Sequence, residues 1–294
     1  MKLEKIDIGV RYMLFASLMF ALVGVFAKLT SLHMSSLEVV FFRNIFGVFI
    51  IGIMVLKTPM MHDGGRPFLL IFRGVIGFLA LLAFFYNIAH ISLGEAMTFS
   101  KTSPIFTTIF AWIFLREKLS SKGWVAVFVG FIGMLFITQV VHFRLDIYDI
   151  LGLFSGAGAG LAYTSVRELK KYYDTRAIVL SFMAIGTVGP LLLFMLSPYL
   201  HVKELSFMLG RFVMPEGVVW LYILGLGIFA TLAQVYMTKA YGASKAGIVG
   251  AVSYANIPFS IIAGLFLGDN LPNLSVAVGI CLIILAGILV AKEK

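Results

Sequence analysis

Ten apolar runs follow one another along this chain, each about as long as a bilayer is thick. They occupy residues 11–30, 36–56, 68–89, 94–115, 123–140, 149–167, 176–196, 218–238, 245–267 and 272–291. A helix rises about 1.5 Å per residue, so roughly 20 residues cross a hydrocarbon layer about 30 Å thick. Of the 294 residues, 61% are hydrophobic and 13% charged. A domain dispersed in water carries about a quarter charged residues, so this chain belongs in a membrane. The expected class is an all-α integral membrane protein with ten transmembrane helices. No small-residue cleavage site follows the first run, Tyr12–Leu29, which therefore reads as a retained span rather than a leader. The lone Cys281 lies in an apolar run and excludes an internal disulfide.

Direction comes from the cations. With the N-terminus inside, all but seven of the 23 Lys and Arg lie in inner segments. Arg144, Lys203 and Arg211 lie outside, and Lys28, Arg43, Arg73 and Lys101 fall within spans. That bias places both termini in the cytoplasm and the chain in the cell's inner (cytoplasmic) membrane, as a multi-pass protein. It also accounts for the net charge of +9, so no nucleic acid is expected as a partner.

The two halves are alike. VVFFRNIFG (39–47) aligns with IVLSFMAIG (178–186), and VIGFLALLAFFY (75–86) with GLGIFATLAQVY (225–236). SKTSPIF (100–106) resembles SYANIPF (253–259), and FLREKLS (114–120) resembles FLGDNLP (266–272). Each half holds five runs, an odd number, so the second copy enters the membrane upside down. Two inverted five-helix repeats are expected, over 1–141 and 142–294. Inverted repeats are an architecture of secondary transporters, with the solute near the midplane where the halves meet.

The run FFRNIFG, followed by FRGVIGFLALLAFFYNIAHISLGEAMTFSKTSPIFTTIFAWIFLREKLS, resembles the EamA-type carriers of the drug/metabolite transporter superfamily. The shared features are Arg43 in the second span, Arg73-Gly74 in the third, a small-residue turn with Ala96, Pro104 in the fourth and Glu117 closing it. The resemblance covers nearly the whole chain in two copies, the second looser: Phe182 replaces Arg43 and Asp269 replaces Glu117. It implies carriage of amino acids, nucleotide-like metabolites, drugs or other small solutes. The first half is most similar to the branch that includes S-adenosylmethionine carriers.

Polar residues inside apolar runs mark candidate solute contacts, because a cation at depth costs about 2.5–3.5 kcal/mol on insertion scales. Lys101 lies about seven residues into the fourth run. On helical spacing Met97, Lys101, Pro104 and Thr108 share its face. Pro104 frees a backbone carbonyl, which is tolerated at depth beside a cavity. The ninth run offers the mirrored stripe, Ser253, Asn256 and Ser260, with Pro258 beside it. Thr231 and Gln234 in the eighth run, and Tyr86 and Asn87 in the third, extend the set. Interhelical hydrogen bonding would place the same residue types in the same way. Arg43 suits a bidentate anion, or an ion pair with Glu38 or Glu95. Lys28 and Arg73 are expected to snorkel to the two surfaces. Aromatic residues Phe20, Tyr163, Tyr236 and Tyr254 belong to packing or to a pocket. Glu38, Glu95 and His90 are the residues available for proton coupling, all near the outer end. Glycines 152, 156 and 160 form a small-residue stripe that suits close packing in the bundle or a homodimer; monomer and homodimer both remain open.

Four in-span cations against few deep carboxylates favour solutes with a carboxylate or phosphate. The sequence has no H-E-x-x-H pair, no G-x-S-x-G elbow and no phosphate-binding loop. No enzyme activity, cofactor, metal or ATP drive is expected, and the partners are a small-molecule substrate and the lipid bilayer. The alternatives are an exporter of drug-like or cationic solutes, an intramembrane enzyme, or a structural membrane protein.

Overall fold

The computed structural model describes residues 7–60, 64–90, 99–138, 147–197, 199, 212–266 and 273–291. Among them there is no strand. The helices are α1 (Ile8–Ser31), α2 (Ser36–Lys57), α3 (Pro67–His90), α4 (Ser103–Leu115), α5 (Ser121–Thr138), α6 (Ile147–Leu169), α7 (Thr175–Leu196), α8 (Val219–Ala243), α9 (Ala246–Val252), α10 (Asn256–Phe266) and α11 (Leu274–Ala291). A 3₁₀ turn, Ser253–Ala255, joins α9 to α10.

Six stretches are long and apolar enough to cross a membrane: α1, α2, α3 as far as Asn87, α7, α8, and Ala246–Gly264 through the 3₁₀ turn. Shorter apolar helices lie at 103–115, 121–136 and 274–286. At 23 residues α6 is as long, but it carries Asp149, Arg167 and a run of glycines. Large apolar side chains such as Phe49, Leu56, Phe68, Phe114 and Leu221 point outward, as a lipid-facing surface requires. The molecule is an integral membrane protein.

Local chemistry sets the ends. Ser35 and Glu38 form a capping box at the start of α2. Asp7 caps α1 and Asp174 caps α7. Arg116, at φ 55°, closes α4 in the left-handed region.

Two runs depart from a continuous helix. The fourth holds a turn at Lys101–Thr102, and α4 begins only at Ser103. Pro104 explains this: lacking an N–H, it fits the first turn of a helix and not its interior. Lys101 therefore sits in the turn before α4, not on one helical face with Pro104 and Thr108. Met97 and Glu95 lie outside the described residues. The ninth run breaks at the 3₁₀ turn, which ends three residues before Pro258 of α10.

The packing pairs α1 with α8 and α3 with α6, α4 with α6 and α1 with α10, α2 with α8 and α3 with α7. Across the middle, α2 meets α7, α4 meets α9 and α5 meets α11. Close approach needs glycine at the tightest crossings. A methyl at Gly133 would lie 2.8 Å from Gly279 O, where α5 crosses α11. The largest buried apolar cluster joins α1, α8, α9 and the neighbouring ends of α4 to α7.

Candidate solute site

The glycine edge of α6 positions the fourth run. A methyl at Gly156 would lie 2.7 Å from Phe99 O and against Thr102, and one at Gly160 would lie 2.7 Å from Phe106 Cβ. The stripe thus packs within the bundle, against residues 99–107. Thr102 Oγ1 donates to Phe99 O at 2.6 Å and closes the turn that holds Lys101. Pro104 then packs on α9, 3.4 Å from where a methyl at Gly250 would stand.

Opposite, Ser253 Oγ donates to Gly250 O at 2.6 Å where α9 gives way to the 3₁₀ turn. Asn256 follows as the first residue of α10. Lys101 Nζ donates to Asn256 Oδ1 at 2.7 Å, and Asn256 Nδ2 donates to Ser17 O of α1 at 3.1 Å. The amide is oriented by both partners: its oxygen faces the ammonium and its nitrogen the carbonyl. Lys101 and Asn256 are half-buried. The two break-containing runs therefore touch through one ammonium, which has further protons for a solute.

Both in-span arginines, Arg43 and Arg73, are buried. Arg73 is 1% exposed and does not snorkel. Its guanidinium carbon lies 4.4 Å from the centre of the Phe182 ring, and that of Arg43, 3% exposed, lies 5.8 Å from the same ring. α7 covers α3 here, so Arg73 has no route to the surface. Arg43 Nη1 donates to Asn44 Oδ1 at a long 3.5 Å. Arg73 Nε and Nη1 are buried without a hydrogen-bond partner. Glu38 does not pair with Arg43: its carboxylate accepts from Ser35 N, Ser35 Oγ and Val213 N at 2.6–2.8 Å. A cation–π contact is worth about 2 kcal/mol when desolvated, while each unmet buried donor costs about 1–3 kcal/mol and more when charged. Lys28 is exposed, in keeping with a surface position.

Other candidates serve the helices. Thr108 Oγ1 donates to Pro104 O and Thr231 Oγ1 to Gly227 O, at 2.8 and 2.7 Å. Thr231 also lies against Gly47 of α2. Asn87 Nδ2 donates to Tyr148 O at 2.9 Å, tying α3 to α6. Tyr86 stacks on His90 and Tyr148, with ring centres 3.9 and 6.1 Å away, and exposed His90 is 2.9 Å from Tyr86 O through Nδ1. Gln234 is buried in α8 and Pro258 half-buried in α10. The Tyr254 ring fills the space beside Gly130 of α5. Tyr163 stacks on Tyr241, with ring centres 5.3 Å apart.

One polar hub was not singled out from the sequence, although Glu117 stands out there as the acid closing the fourth run. Glu117 Oε1 accepts from Arg167 Nε at 2.9 Å and Oε2 from Ala246 N at 2.9 Å. Arg167 Nη1 donates to Gly242 O at 3.0 Å. The hub ties α4, α6, α8 and α9 together at one end of the bundle. A cavity of about 920 Å³ adjoins it, lined by Arg66, Arg116, Lys170 and Lys171 among others.

Residues 7–139 match the EamA-like transporter family. A transporter of Helicobacter pylori (strain ATCC 700392 / 26695) is 33% identical over 96% of this chain and 94% of its own length. The pseudopaline exporter CntI of Pseudomonas aeruginosa is 29% identical over 100% of this chain and 99% of its own. A solved crystal structure with 16% identity shares the fold, with a TM-score of 0.77 over 96% of this chain and 95% of that one. The Helicobacter pylori and Pseudomonas aeruginosa relatives are transporters by name, not enzymes. Similarity to a transporter along almost the full length, together with the family match, shows that this chain belongs to the EamA-like transporter family.

Proposed function

We propose that this chain is a secondary transporter that moves a small metabolite bearing a carboxylate or phosphate across the cytoplasmic membrane. It works by alternating access between two inverted five-helix repeats, 1–141 and 142–294, with both termini cytoplasmic. The helix pairings support the repeat, since exchanging the halves turns each pairing described above into another of the set or, for the three across the middle, into itself. A finer contact does so too. Asn44 packs on Gly186, 2.6 Å from where a methyl there would stand, and Met183 packs on Gly47. In the aligned segments Asn44 corresponds to Met183 and Gly47 to Gly186. A two-fold axis between α2 and α7 produces such reciprocal contacts.

The observation that carries the solute class is the hydrogen bond from Lys101 to Asn256. It joins the two repeats through a cation whose protein partner is neutral. A solute anion offers the ammonium a stronger partner than an amide does. Taking that place releases Asn256 and loosens the tie between the repeats, which couples binding to movement. The relative named as an exporter supports outward movement of the solute.

Flux into proteoliposomes tests this, using solutes first chosen by thermal shift from a metabolite library. Lys101→Ala is expected to lower flux of an anionic solute about tenfold or more, the equivalent of about 1.4 kcal/mol. Undiminished flux in that variant, or movement of cationic solutes alone, would overturn the proposal.

A further inference from the structure

We propose that Arg43 and Arg73, with the Phe182 ring between the repeats as their platform, form a second subsite that takes a carboxylate or phosphate group. This rests on the transporter function proposed above and deepens it, because it gives a further anionic group of the solute a place apart from Lys101.

Burial is the first support. Both guanidiniums are withdrawn from the surface, and Arg73 Nε and Nη1 have no partner. Two like charges lie against one ring, close enough to repel each other. Neither has a carboxylate partner among the described residues. Charge of one sign concentrated in an apolar bundle calls for an anion. A guanidinium meets planar oxyanions through several directed donors, which an ammonium cannot match. Tyr163 on α6 lies within electrostatic reach of both arginines.

Position is the second support. α2 and α7 face each other across the proposed two-fold axis, and Phe182 is the residue that aligns with Arg43. Cation and ring thus meet where the repeats must shift against each other. An anion held by Arg43 from α2 and Arg73 from α3 lies where α7 bears on both helices, so its arrival alters the contact between the halves. A structural role alone would be met better by apolar side chains of similar size, which carry no desolvation cost.

The test uses the purified full chain in detergent and reads thermal unfolding in sodium acetate, sodium phosphate and sodium chloride at equal ionic strength. Acetate and phosphate are expected to raise the wild-type melting temperature above its value in chloride, in a saturable way. Arg73→Lys keeps the charge but loses the fork, and should weaken the apparent acetate affinity about tenfold. Arg73→Met should abolish the response while leaving the protein as stable or more stable in chloride. Lys101→Ala should retain the response, which separates this site from the transport test. Ion chromatography of the denatured protein distinguishes the source: a stoichiometric released anion marks a resident ion, and none marks a subsite for the solute's own group. Equal responses in wild type and both Arg73 variants would overturn the proposal, as would no wild-type response beyond that in chloride. If Arg73→Met fails to fold, Arg73→Lys decides, and the wild-type comparison of acetate with chloride stands without any variant.

Discussion

At the scale of single residues, energetics turn on which polar atoms have partners. Asn256 satisfies Lys101 with its oxygen and Ser17 O with its nitrogen. Asn256→Ala leaves an ammonium and a carbonyl unmet and should lower stability by about 1–3 kcal/mol. Paired with Lys101→Ala, the double variant should lose less than the sum of the two, because the shared bond is lost only once. Thermal unfolding of the four proteins measures this, and strict additivity would show that the bond contributes nothing. Lys101 and Asn256 were both legible as polar residues in mirrored, proline-bearing runs. Their contact was not, because it depends on turns that a helical projection cannot represent. Arg73 was misread for a related reason. Distance from the end of an apolar run measures depth in the membrane but is blind to the neighbour, here Phe182, that covers the side chain. Glu38 shows the converse: read as a coupling candidate, it is taken up by the cap of its own helix and by Val213 N.

Elements show the same division between what spacing specifies and what packing decides. Outside the fourth and ninth runs, the apolar runs locate the helices to within about five residues because apolar length is itself the constraint that a bilayer imposes. The breaks at 101–102 and 253–255 follow from proline chemistry but were not placed, since proline also occurs inside continuous helices, as Pro190 does in α7. The glycine stripe of α6 left two partners open, and the structure places residues 99–107 against it. Gly156→Ala drives a methyl into Phe99 O and Thr102, an overpacking that should cost about 1–3 kcal/mol. Its oligomeric state by light scattering should match that of wild type; a shift in mass with stability unchanged would instead assign the stripe to a dimer. The cap of α7 gives a pH dependence. Asp174 accepts from Arg176 N at 2.7 Å and from its guanidinium at 3.1 and 3.2 Å. Chiefly through the guanidinium hydrogen bond, its carboxyl is held below the ordinary carboxylate value. A lowered folded-state value stabilises the protein above the unfolded carboxylate range, near pH 4, and the gain disappears as pH falls through the folded value. Asp174→Ala should cost about 1 kcal/mol at neutral pH through loss of the cap, and melting curves of the two proteins should converge as pH falls through the folded value. A gap that persists in acid would show that the carboxylate charge is not the stabilising group.

For the whole molecule, the informative feature is where the internal two-fold relation fails. Under the proposed repeat, the contact between α6 and α8 has a counterpart between α1 and α3. The first pair packs together, while the second is not packed to a comparable extent among the described residues. The bundle is therefore closed at the end where Glu117, Arg167, Gly242 and Ala246 meet, which under the proposed orientation faces the cytoplasm. Glu117 holds this end by accepting from α6 and α9 at once. Hydrogen bonds to charged groups are worth about 1.5–3 kcal/mol, so loss of the ion pair changes the ratio of open to closed forms about tenfold or more. Glu117→Gln keeps the size and an acceptor for Ala246 N but removes the charge that Arg167 meets. Spin labels on exposed Lys171 and Ala243, at the ends of α6 and α8, would read the separation in a Cys281→Ser background. Glu117→Gln is expected to add a longer-distance population that is minor in wild type, and a solute favouring the closed end should reverse it. If the distance distribution is unchanged while thermal stability falls, Glu117 secures the fold of α9 and does not govern access, and the closed end must be held by the stacked rings of Tyr163 and Tyr241 instead.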